Sequence, residues 1–422
     1  LFGLVPALRA SRPGLVEDLK ESGQSERGLG RTFNLKNLLV TGQVALSCVA
    51  LVCSGIFLRS LGEATQVDLG FEPQGLAMMS FDLSRQGYDE GRGEQFLTQA
   101  VERAANVPGV EQATVATIVP LTGGGFLRTV YVEGRDTADE NNAILTPANV
   151  VDPGFFKTLG IELLRGRDFT TADRAGSQTV AIVNQAMVER FWPGEDVLGQ
   201  RFTYHGEEEV WEVVGVVETS KYLSVGEDPQ AQAYVPRLQN YNPGINLVFR
   251  TSGDAAAALE TVRAEIQSLD PALPLNNPQT LESAVGQVLW PQRMAAMLLG
   301  AMGGLALLLA AVGIYGVTAY SVSQRRHEIG IRMAMGAEGK DVLRLILGQG
   351  LTLVGVGLAI GLALSVAAGR NLAPLLVGVS PTDAVALGGT AVVLAAVALI
   401  ANLIPAQRAA AVDPVRVLRR ER

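Results

Sequence analysis

Four long apolar runs dominate the pattern of hydrophobic and polar positions along this chain. No Asp, Glu, Lys or Arg occurs in residues 37–58, 294–324, 345–369 or 384–407. A helix needs about 20 apolar residues to cross the hydrocarbon core of a bilayer. The pattern therefore predicts four transmembrane helices, and we place them at residues 37–59, 291–323, 344–369 and 384–407.

Between the first two apolar runs, residues 60–290 carry the shorter patterns of a water-exposed domain. Period-two and β-branched stretches predict strands, and helically spaced apolar residues predict amphipathic helices. The predicted strands are residues 76–83, 110–118, 146–151, 179–184, 210–218, 232–235 and 246–250, and the predicted helices are residues 91–106, 155–159, a segment between 184 and 192, 255–269 and 281–288. The expected fold class is an α-helical membrane protein with four transmembrane helices and an α+β domain, in two lobes, between the first two.

Charge is divided unevenly along the sequence. Residues 61–290 hold 15 Lys or Arg against 32 Asp or Glu, whereas the rest of the chain holds 19 against 10. Short basic loops of membrane proteins stay in the cytoplasm. We therefore expect residues 1–36, 324–343 and 408–422 to be cytoplasmic, and residues 60–290 and the loop 370–383 to be extracytoplasmic, in a plasma or inner membrane. The acidity of the chain has this topological meaning and does not predict a nucleic-acid partner.

The acidic segment offers few candidates for catalysis or metal binding. His205 precedes an acidic turn at residues 207–209, but a metal site needs several converging ligands, and a lone histidine here favours a solvated loop. Asp168 and Asp173 could act as an acid and a base, although surface carboxylates at this spacing are common. The glycine run 123–125 could hold an anion, but no helix is predicted after it.

The sequence predicts no catalytic, cofactor or metal site. The stretch 336–340, GAEGK, lacks the glycine spacing of a phosphate-binding loop and continues with Asp341 where Ser or Thr is needed. ATP would therefore have to be bound by another chain. Cys48 and Cys53 lie in the first apolar run, and we expect both to be buried small apolar residues.

A short charged segment, QRRHEIGIRMAMGA at residues 324–337, separates the second and third apolar runs. As a helix it has an apolar side with Ile329, Met333, Ala334 and Met335 and a polar side with Arg325, Arg326, Glu328 and Arg332. Glu328 and Arg332 are spaced to stabilise a helix by about 0.2–0.5 kcal/mol, and Gly336 can end it. Such a helix can lie among lipid headgroups or offer a docking surface, and the residues alone leave both interpretations open.

The two ends of the chain are similar to each other. VPALRASRPGLVEDLK near the start aligns with IPAQRAAAVDPVRVLR near the end, so that Pro6 and Arg9 match Pro405 and Arg408. Internal repeats are common in transport proteins. We therefore expect that Leu1 is not a true start, that residues 1–36 are the end of a preceding repeat with a linker, and that the chain is the second half of a duplicated protein.

Several of these stretches resemble one known family. GIYGVTAYSVSQRRHEIGIRMAMGA at residues 313–337 and the basic tail resemble the MacB/FtsX-type ABC transporter permeases. LRGRDFTTAD, VAIVNQAMVERFWPGEDVLGQRF and EVVGVVETSKY are similar to the MacB-like periplasmic core domain. The resemblance covers nearly the whole chain from Lys36 onward, and the end repeat resembles the duplicated permeases of this family described from Acidobacteria.

The resemblance implies a permease that couples ATP hydrolysis by a separate cytoplasmic ABC ATPase to movements of the extracytoplasmic domain. It assigns ATPase docking to the matching cytoplasmic segment, namely Arg325, Arg326, Glu328, Ile329, Arg332, Met333 and Gly336. Other expected partners are the other half of the duplicated permease or a second copy, periplasmic or outer-membrane components, and membrane lipid. Two alternatives stay open, a mechanical or signalling relay that regulates an envelope hydrolase and a membrane-tethered enzyme, and the sequence names no substrate.

Overall fold

The structure of the chain, a computed structural model, describes residues 35–123, 127–133, 143–336, 338–373 and 376–410. Its α-helices are α1 (Leu35–Ala64), α2 (Glu90–Ala105), α3 (Phe155–Leu159), α4 (Gln185–Phe191), α5 (Ala255–Leu269), α6 (Leu281–Val288), α7 (Trp290–Gln324), α8 (Arg326–Ala334), α9 (Gly339–Leu372) and α10 (Ala384–Ala410). Four of these helices, α1, α7, α9 and α10, are long and apolar enough to cross a membrane. The predicted end repeat falls largely on residues 1–34 and 411–422, which lie outside the described residues.

The membrane helices extend beyond the segments that the charge pattern marks. Helix α1 continues to Ala64, past the predicted end at residue 59, and α9 begins at Gly339, before the predicted start at residue 344. A charged residue ends an apolar run, but it does not interrupt the backbone hydrogen bonds of a helix. The helical segments are therefore longer than the stretches predicted to lie in lipid.

Eleven strands lie in the described part of residues 60–290. They are β1 (Leu76–Asp82), β2 (Val110–Ala116), β3 (Leu127–Val132), β4 (Ala143–Val151), β5 (Leu163–Gly166), β6 (Val180–Asn184), β7 (Arg201–Tyr204), β8 (Val210–Val217), β9 (Ala233–Pro236), β10 (Gly244–Thr251) and β11 (Asn276–Thr280). Their order is β11-β1-β10-β2-β4-β3-β7-β8-β6-β9, with β5 beside β8. Strands and helices thus form an α+β domain between the first two membrane helices, as predicted.

A first lobe is formed by the antiparallel strands β11, β1, β10 and β2. Alternate residues of β1 enter different cores, because successive side chains of a strand point to opposite faces. Ala77, Met79 and Phe81 pack with residues of α2 and α5, whereas Leu76 and Met78 join a second core on the other face. Burial on both faces explains why β1 is a nearly continuous apolar run.

The remaining lobe is a closed ring of strands. The pairings run β4-β3-β7-β8-β6-β9, and β9 then pairs in parallel with β4, from Ala148 opposite Ala233 to Val151 opposite Pro236. The ring encloses its own apolar cluster, which includes Val130, Val183, Phe202, Trp211 and Val235. Closure leaves no free edge among these strands, and this protects them from pairing with other chains.

Very little backbone pairing joins the two lobes. Strands β2 and β4 share one register pair, Ala116 with Val151. The second core of the first lobe supplies most of the contact, because it contains Met78 from that lobe, Ile182 from the ring and Phe155 from α3. The lobes are therefore held together mainly by side chains.

A buried charge cluster adds a directional link between the lobes. Arg237 follows β9 and its side chain is 4% exposed. Its Nε donates to Asp152 Oδ1 at 2.8 Å, its Nη2 donates to Asp152 Oδ2 at 3.3 Å, and its Nη1 donates to Glu94 Oε2. Asp152 follows β4 of the ring and Glu94 lies on α2, so one guanidinium bridges both lobes. Its carboxylate partners are what make burial of this charge tolerable.

The loop between the third and fourth membrane helices also packs against the extracytoplasmic domain. Val377 is 8% exposed within the core that contains Tyr222 and Val225. Its backbone N–H donates to Ser60 Oγ at 2.7 Å, and Arg59 Nη1 donates to Asp383 Oδ2 at 2.6 Å. The end of α1 and this loop are therefore fixed to each other.

Glycines let the membrane helices approach closely within their own bundle. A Cβ on Gly357 would lie 2.9 Å from the carbonyl oxygen of Thr41, and one on Gly361 would lie 2.6 Å from Cys48 Cβ. Both glycines of this small-xxx-small pair on α9 therefore seat α1. A Cβ on Gly304 of α7 would meet no atom within 4 Å, so this glycine does not seat a neighbouring helix.

Cys48 and Cys53, both on α1, are buried, as expected for small apolar residues.

We expect Arg237→Met to lower the free energy of unfolding of the extracytoplasmic domain by about 3–5 kcal/mol, because it leaves the buried Asp152 carboxylate without its partner. Thermal and denaturant unfolding of the full-length protein in detergent, followed by tryptophan fluorescence, measures this loss. The double variant Arg237→Met/Asp152→Leu is expected to lose less, since it removes the unpaired charge as well.

Arg85→Met is the matched control for the arginine substitution. Arg85 pairs with Asp82 on the surface, with 76% of its side chain exposed, so its loss should change stability by less than about 1 kcal/mol. An Arg237→Met variant as stable as the Arg85→Met variant would show that the buried cluster does not hold the lobes together.

Candidate coupling site

The short charged segment forms a helix of its own, α8, between two membrane helices. Helix α7 ends at Gln324, and Arg325 breaks the helical path with a φ of −101° and a ψ of 11°. Helix α8 ends at Ala334, and Gly336 follows with a φ of +101°. This left-handed conformation suits glycine and ends helices, in agreement with the predicted stop. The chain then turns into α9.

One face of α8 packs onto the membrane helices. Ile329 is 5% exposed, and Met333 is partly buried against the same cluster. The cluster contains Val322 of α7, Val342 and Ile346 of α9, and Ala406 and Ala409 of α10. We name these five residues, together with Ile329, the anchor layer. Because Ile329 lies in the anchor layer, this side chain holds α8 in place.

The opposite face of α8 carries exposed charges. Arg332 Nη2 donates to Glu328 Oε1 at 2.6 Å, and the two side chains are 49% and 52% exposed. Arg326 is exposed as well. An ion pair that is half in water contributes little to folding. These charges are therefore free to change partner without unfolding the helix.

Two apolar side chains lie among the exposed residues of this segment. Met335 is 76% exposed and Ile331 is 38% exposed. The sequence pattern assigned Met335 to the apolar side with Ile329, but Met335 is the residue after the helix, where the 3.6-residue period no longer applies. Exposed apolar residues beside charges are typical of the centre of an interaction surface.

Further polar contacts fix the neighbouring ends of the membrane helices. Arg325 Nη1 donates to Gln349 Oε1 at 3.4 Å, and Arg408 Nη1 donates to the hydroxyl of Tyr315 at 3.2 Å. The start of α9 is capped because Asp341 Oδ2 accepts from the backbone N–H of Glu338 at 3.1 Å. The ends around α8 are therefore ordered by their own side chains.

Asp168 and Asp173 have structural roles in the extracytoplasmic domain. Asp173 accepts from both terminal nitrogens of Arg167, at 2.7 and 2.8 Å, and from the backbone N–H of Thr170 at 2.8 Å. The hydrogen bonds from Arg167 lower the pKa of Asp173 below its ordinary value. Asp168 accepts from the backbone N–H of Phe169 at 2.7 Å. Burial raises the pKa of Asp168, whose Oδ2 also accepts from the backbone N–H of Gly154 at 3.3 Å. The low pKa of Asp173 does not suit a general acid, and both carboxylates hold backbone N–H groups of this loop.

His205 lies on an exposed turn after β7. The centre of its ring lies 5.6 Å from that of Tyr131, and the two rings are tilted by 54°. Nearby Glu207 pairs with Arg128 at 2.7 Å. Across the described residues, no group of three or more His, Cys, Asp or Glu side chains could hold a metal ion. Residues 124 and 125 of the glycine run lie outside the described residues.

Two family models match this chain. The MacB-like periplasmic core domain matches residues 44–269, and the FtsX-like permease C-terminal region matches residues 300–414. The first match covers the extracytoplasmic domain up to the end of α5, and the second contains α8 and the last two membrane helices.

Relatives resemble the chain at low identity over long stretches. The chain is 26% identical over 403 residues to the macrolide export ATP-binding/permease protein MacB of Marinobacter nauticus, covering 91% of this chain and 59% of that protein. It is 29% identical over 287 residues to the pyoverdine export ATP-binding/permease protein PvdT of Pseudomonas putida, covering 65% and 42%. It is 28% identical over 338 residues to the ABC transporter permease YvrN of Bacillus subtilis, covering 75% and 81%. The chain thus spans less than two thirds of the length of the first two relatives.

Solved structures of similar domains also match. The crystal structure of the periplasmic region of MacB from Actinobacillus actinomycetemcomitans aligns with a TM-score of 0.35 and 14% identity, covering 49% of this chain and 90% of that one. The extracellular domain of the transporter YknZ from Gram-positive bacteria aligns with a TM-score of 0.32 and 16% identity, covering 48% and 100%.

The core-domain model alone matches more than half of the residues, and along the chain one apolar helix precedes the sheet domain and three follow it. The resemblance predicted from the sequence is confirmed, and the chain belongs to the MacB/FtsX-type family of ABC transporter permeases.

Proposed function

We propose that this chain is the permease part of an ABC-type system in which ATP hydrolysis by a cytoplasmic ATPase drives movements of the extracytoplasmic domain. The proposal rests on α8, which has one buried apolar face and one exposed charged face. Its Ile329 face is buried against three membrane helices, and its Glu328 and Arg332 face is exposed. A helix of this kind can receive a push from a docked partner and pass it to the membrane helices.

The exposed face of α8 favours a protein partner over lipid headgroups. A helix that lies in lipid buries its apolar face in the bilayer, but here that face is already occupied by the anchor layer. The free face offers a mixed-sign pair, Glu328 with Arg332, and the exposed Met335. We therefore assign docking to the exposed Arg326, Glu328 and Arg332. The half-buried Arg325 and Met333 border this face, and Ile329 and Gly336 set the position and the end of the helix.

The ATPase is expected on another chain or on a part of the protein beyond these residues. Two relatives are named ATP-binding/permease proteins, and the chain spans only 59% and 42% of their lengths. We further propose the second half of a duplicated permease, or a second copy, as the membrane partner, and periplasmic or outer-membrane components as partners of the extracytoplasmic domain.

The four apolar helices make the chain a multi-pass membrane protein, and we propose that both of its ends lie in the cytoplasm. Basic residues of short loops remain on the cytoplasmic side, and the exposed Arg326 and Arg332 lie on α8, between α7 and α9. The acidic domain between α1 and α7 would then face the periplasm or cell exterior.

Reversal of one charge on α8 should separate docking from folding. We expect Glu328→Lys to change the melting temperature of the purified permease very little, because the exposed pair contributes only about 0–1 kcal/mol. At a docked interface the reversal places like charges together, which costs several kcal/mol. Co-purification with the ATPase and permease-stimulated ATP hydrolysis should therefore be lost.

The charge swap Glu328→Lys/Arg332→Glu is the decisive control for this experiment. It restores an ion pair within α8, so it should rescue binding only if the pair serves the helix itself. Glu338→Lys, which reverses an exposed charge paired with Lys340 outside α8, should bind normally. If the swap variant binds the ATPase as the native chain does, the pair is structural and the docking assignment is wrong.

Single cysteines test the proposed orientation. In a Cys48→Ala/Cys53→Ala background, cysteines at Ser177 and Ser252 in the extracytoplasmic domain should react with a membrane-impermeant maleimide in intact cells. Ser177 and Ser252, and the third test position Ser323, are all exposed in the structure. A cysteine at Ser323, at the end of α7, should react only after permeabilisation, and labelling of Ser323 from outside would reverse the topology.

A further inference from the structure

A single buried amide joins three of the four membrane helices. Asn402 lies on α10, is fully buried and is surrounded in sequence by apolar residues. Its Oδ1 accepts from Thr318 Oγ1 of α7 at 2.7 Å, and its Nδ2 donates to the carbonyl of Ala398 in its own helix at 2.8 Å. Polar groups inside a membrane protein are costly unless paired, so this contact is specific to one arrangement of the helices.

The third helix, α9, contributes a residue without a side chain at the point where it meets the amide. A Cβ on Gly350 of α9 would lie 2.2 Å from Asn402 Oδ1 and 2.5 Å from its Cγ, closer than real Cβ contacts allow. Gly350 therefore makes the room that the amide occupies. One turn away in either direction α9 carries Ile346 and Val354, whose side chains would overlap the amide if the helices slipped by a turn.

The amide lies one helical turn from the anchor layer on all three helices. Four residues separate Thr318 from Val322, Gly350 from Ile346 and Asn402 from Ala406, and four residues of helix rise about 6 Å. Val322, Ile346 and Ala406 belong to the same apolar cluster as Ile329, the anchor layer. The register at the amide therefore sets the register of the layer that holds α8.

We propose that Asn402 is a positioning residue that fixes the register of α7, α9 and α10 and, through the anchor layer, the position of α8. Thr318 is its hydrogen-bond partner and Gly350 is its steric partner. The functional consequence rests on the coupling proposed above, because α8 can transmit force only while its three supports keep one arrangement. The register itself does not depend on an ATPase.

Spin-label distances in the full-length protein test this register directly. Nitroxides are placed at Met335, beside α8, and at Val385, on α10, which are 76% and 65% exposed, in the Cys48→Ala/Cys53→Ala background. We expect one dominant, narrow distance for the native residues, with a small population at a second distance. Thr318→Val removes the hydroxyl, and it should raise the population of a second distance about threefold, the change that corresponds to an average interhelical hydrogen bond of about 0.6 kcal/mol.

Matched variants separate register from general destabilisation. Thr318→Ser keeps the hydroxyl and should retain the native distribution. Gly350→Ala inserts a methyl against the amide and should broaden the distribution, whereas Gly355→Ala, which meets nothing within 4 Å on the same helix, should not. Val40→Ala on α1 opens a cavity in the same bundle, so it should lower the melting temperature without raising the population of the second distance.

The two proposals fail in different ways. Native distributions in both Thr318→Val and Gly350→Ala would overturn the positioning role, whether or not an ATPase binds, and so would a raised second-distance population in Val40→Ala. If the distances respond as expected while the native chain recruits no ATPase, the register assignment stands and the coupling function fails. If the ATPase binds Thr318→Val but is no longer stimulated by it, both proposals are supported.

Discussion

The position of α8 depends on one apolar contact layer. Ile329 reaches a cluster supplied by three membrane helices, and this burial is what orients the charged face of α8 away from the bundle. In lipid, apolar burial between helices gains little over contact with lipid tails, so close packing and a few polar contacts must hold the helices together. Gly357, Gly361 and the Asn402 amide supply that packing and polarity in this bundle. The candidate docking surface is therefore a product of helix packing and could not exist as an isolated peptide.

A similar division applies in the extracytoplasmic domain. Each lobe has its own apolar cluster, and a third cluster together with Arg237 joins the lobes. A guanidinium with two carboxylates is directional, whereas apolar contact is not. The Arg237 cluster therefore fixes how the lobes meet, while the apolar core supplies most of the attraction between them.

Much of this architecture follows from pattern, because long charge-free runs and period-two strands have few alternative structures. Strands such as β1 and β8, helix α5 and the isolated helix α8 were predictable for this reason. Strands β3, β5, β7 and β11 were not predicted. Two of them, β5 and β7, have only four residues each, and β11, with the sequence NNPQT, lacks an apolar pattern. They form because neighbouring strands offer hydrogen bonds, which no local pattern records. Arg237 and Asn402 were also missed, since each looks like an ordinary polar residue until distant partners surround it. At α8 the charged face was predictable from spacing, but the exposure of Met335 depended on where the helix ended.

The parallel pairing of β9 with β4 constrains the order in which this domain can fold. Residues 143–151 of β4 cannot complete their ring until residues 233–236 have emerged and returned across more than 80 residues of chain. Contacts of such long sequence separation form slowly, and unpaired strands are prone to misassociation while they wait. Arg237 directly follows β9, the strand that closes the ring. The residue that links the lobes is therefore synthesised immediately after the strand that completes the ring. The first lobe needs β10, β11 and α5, which come later still, so synthesis from the N-terminal end would complete the ring before the lobe that begins the domain.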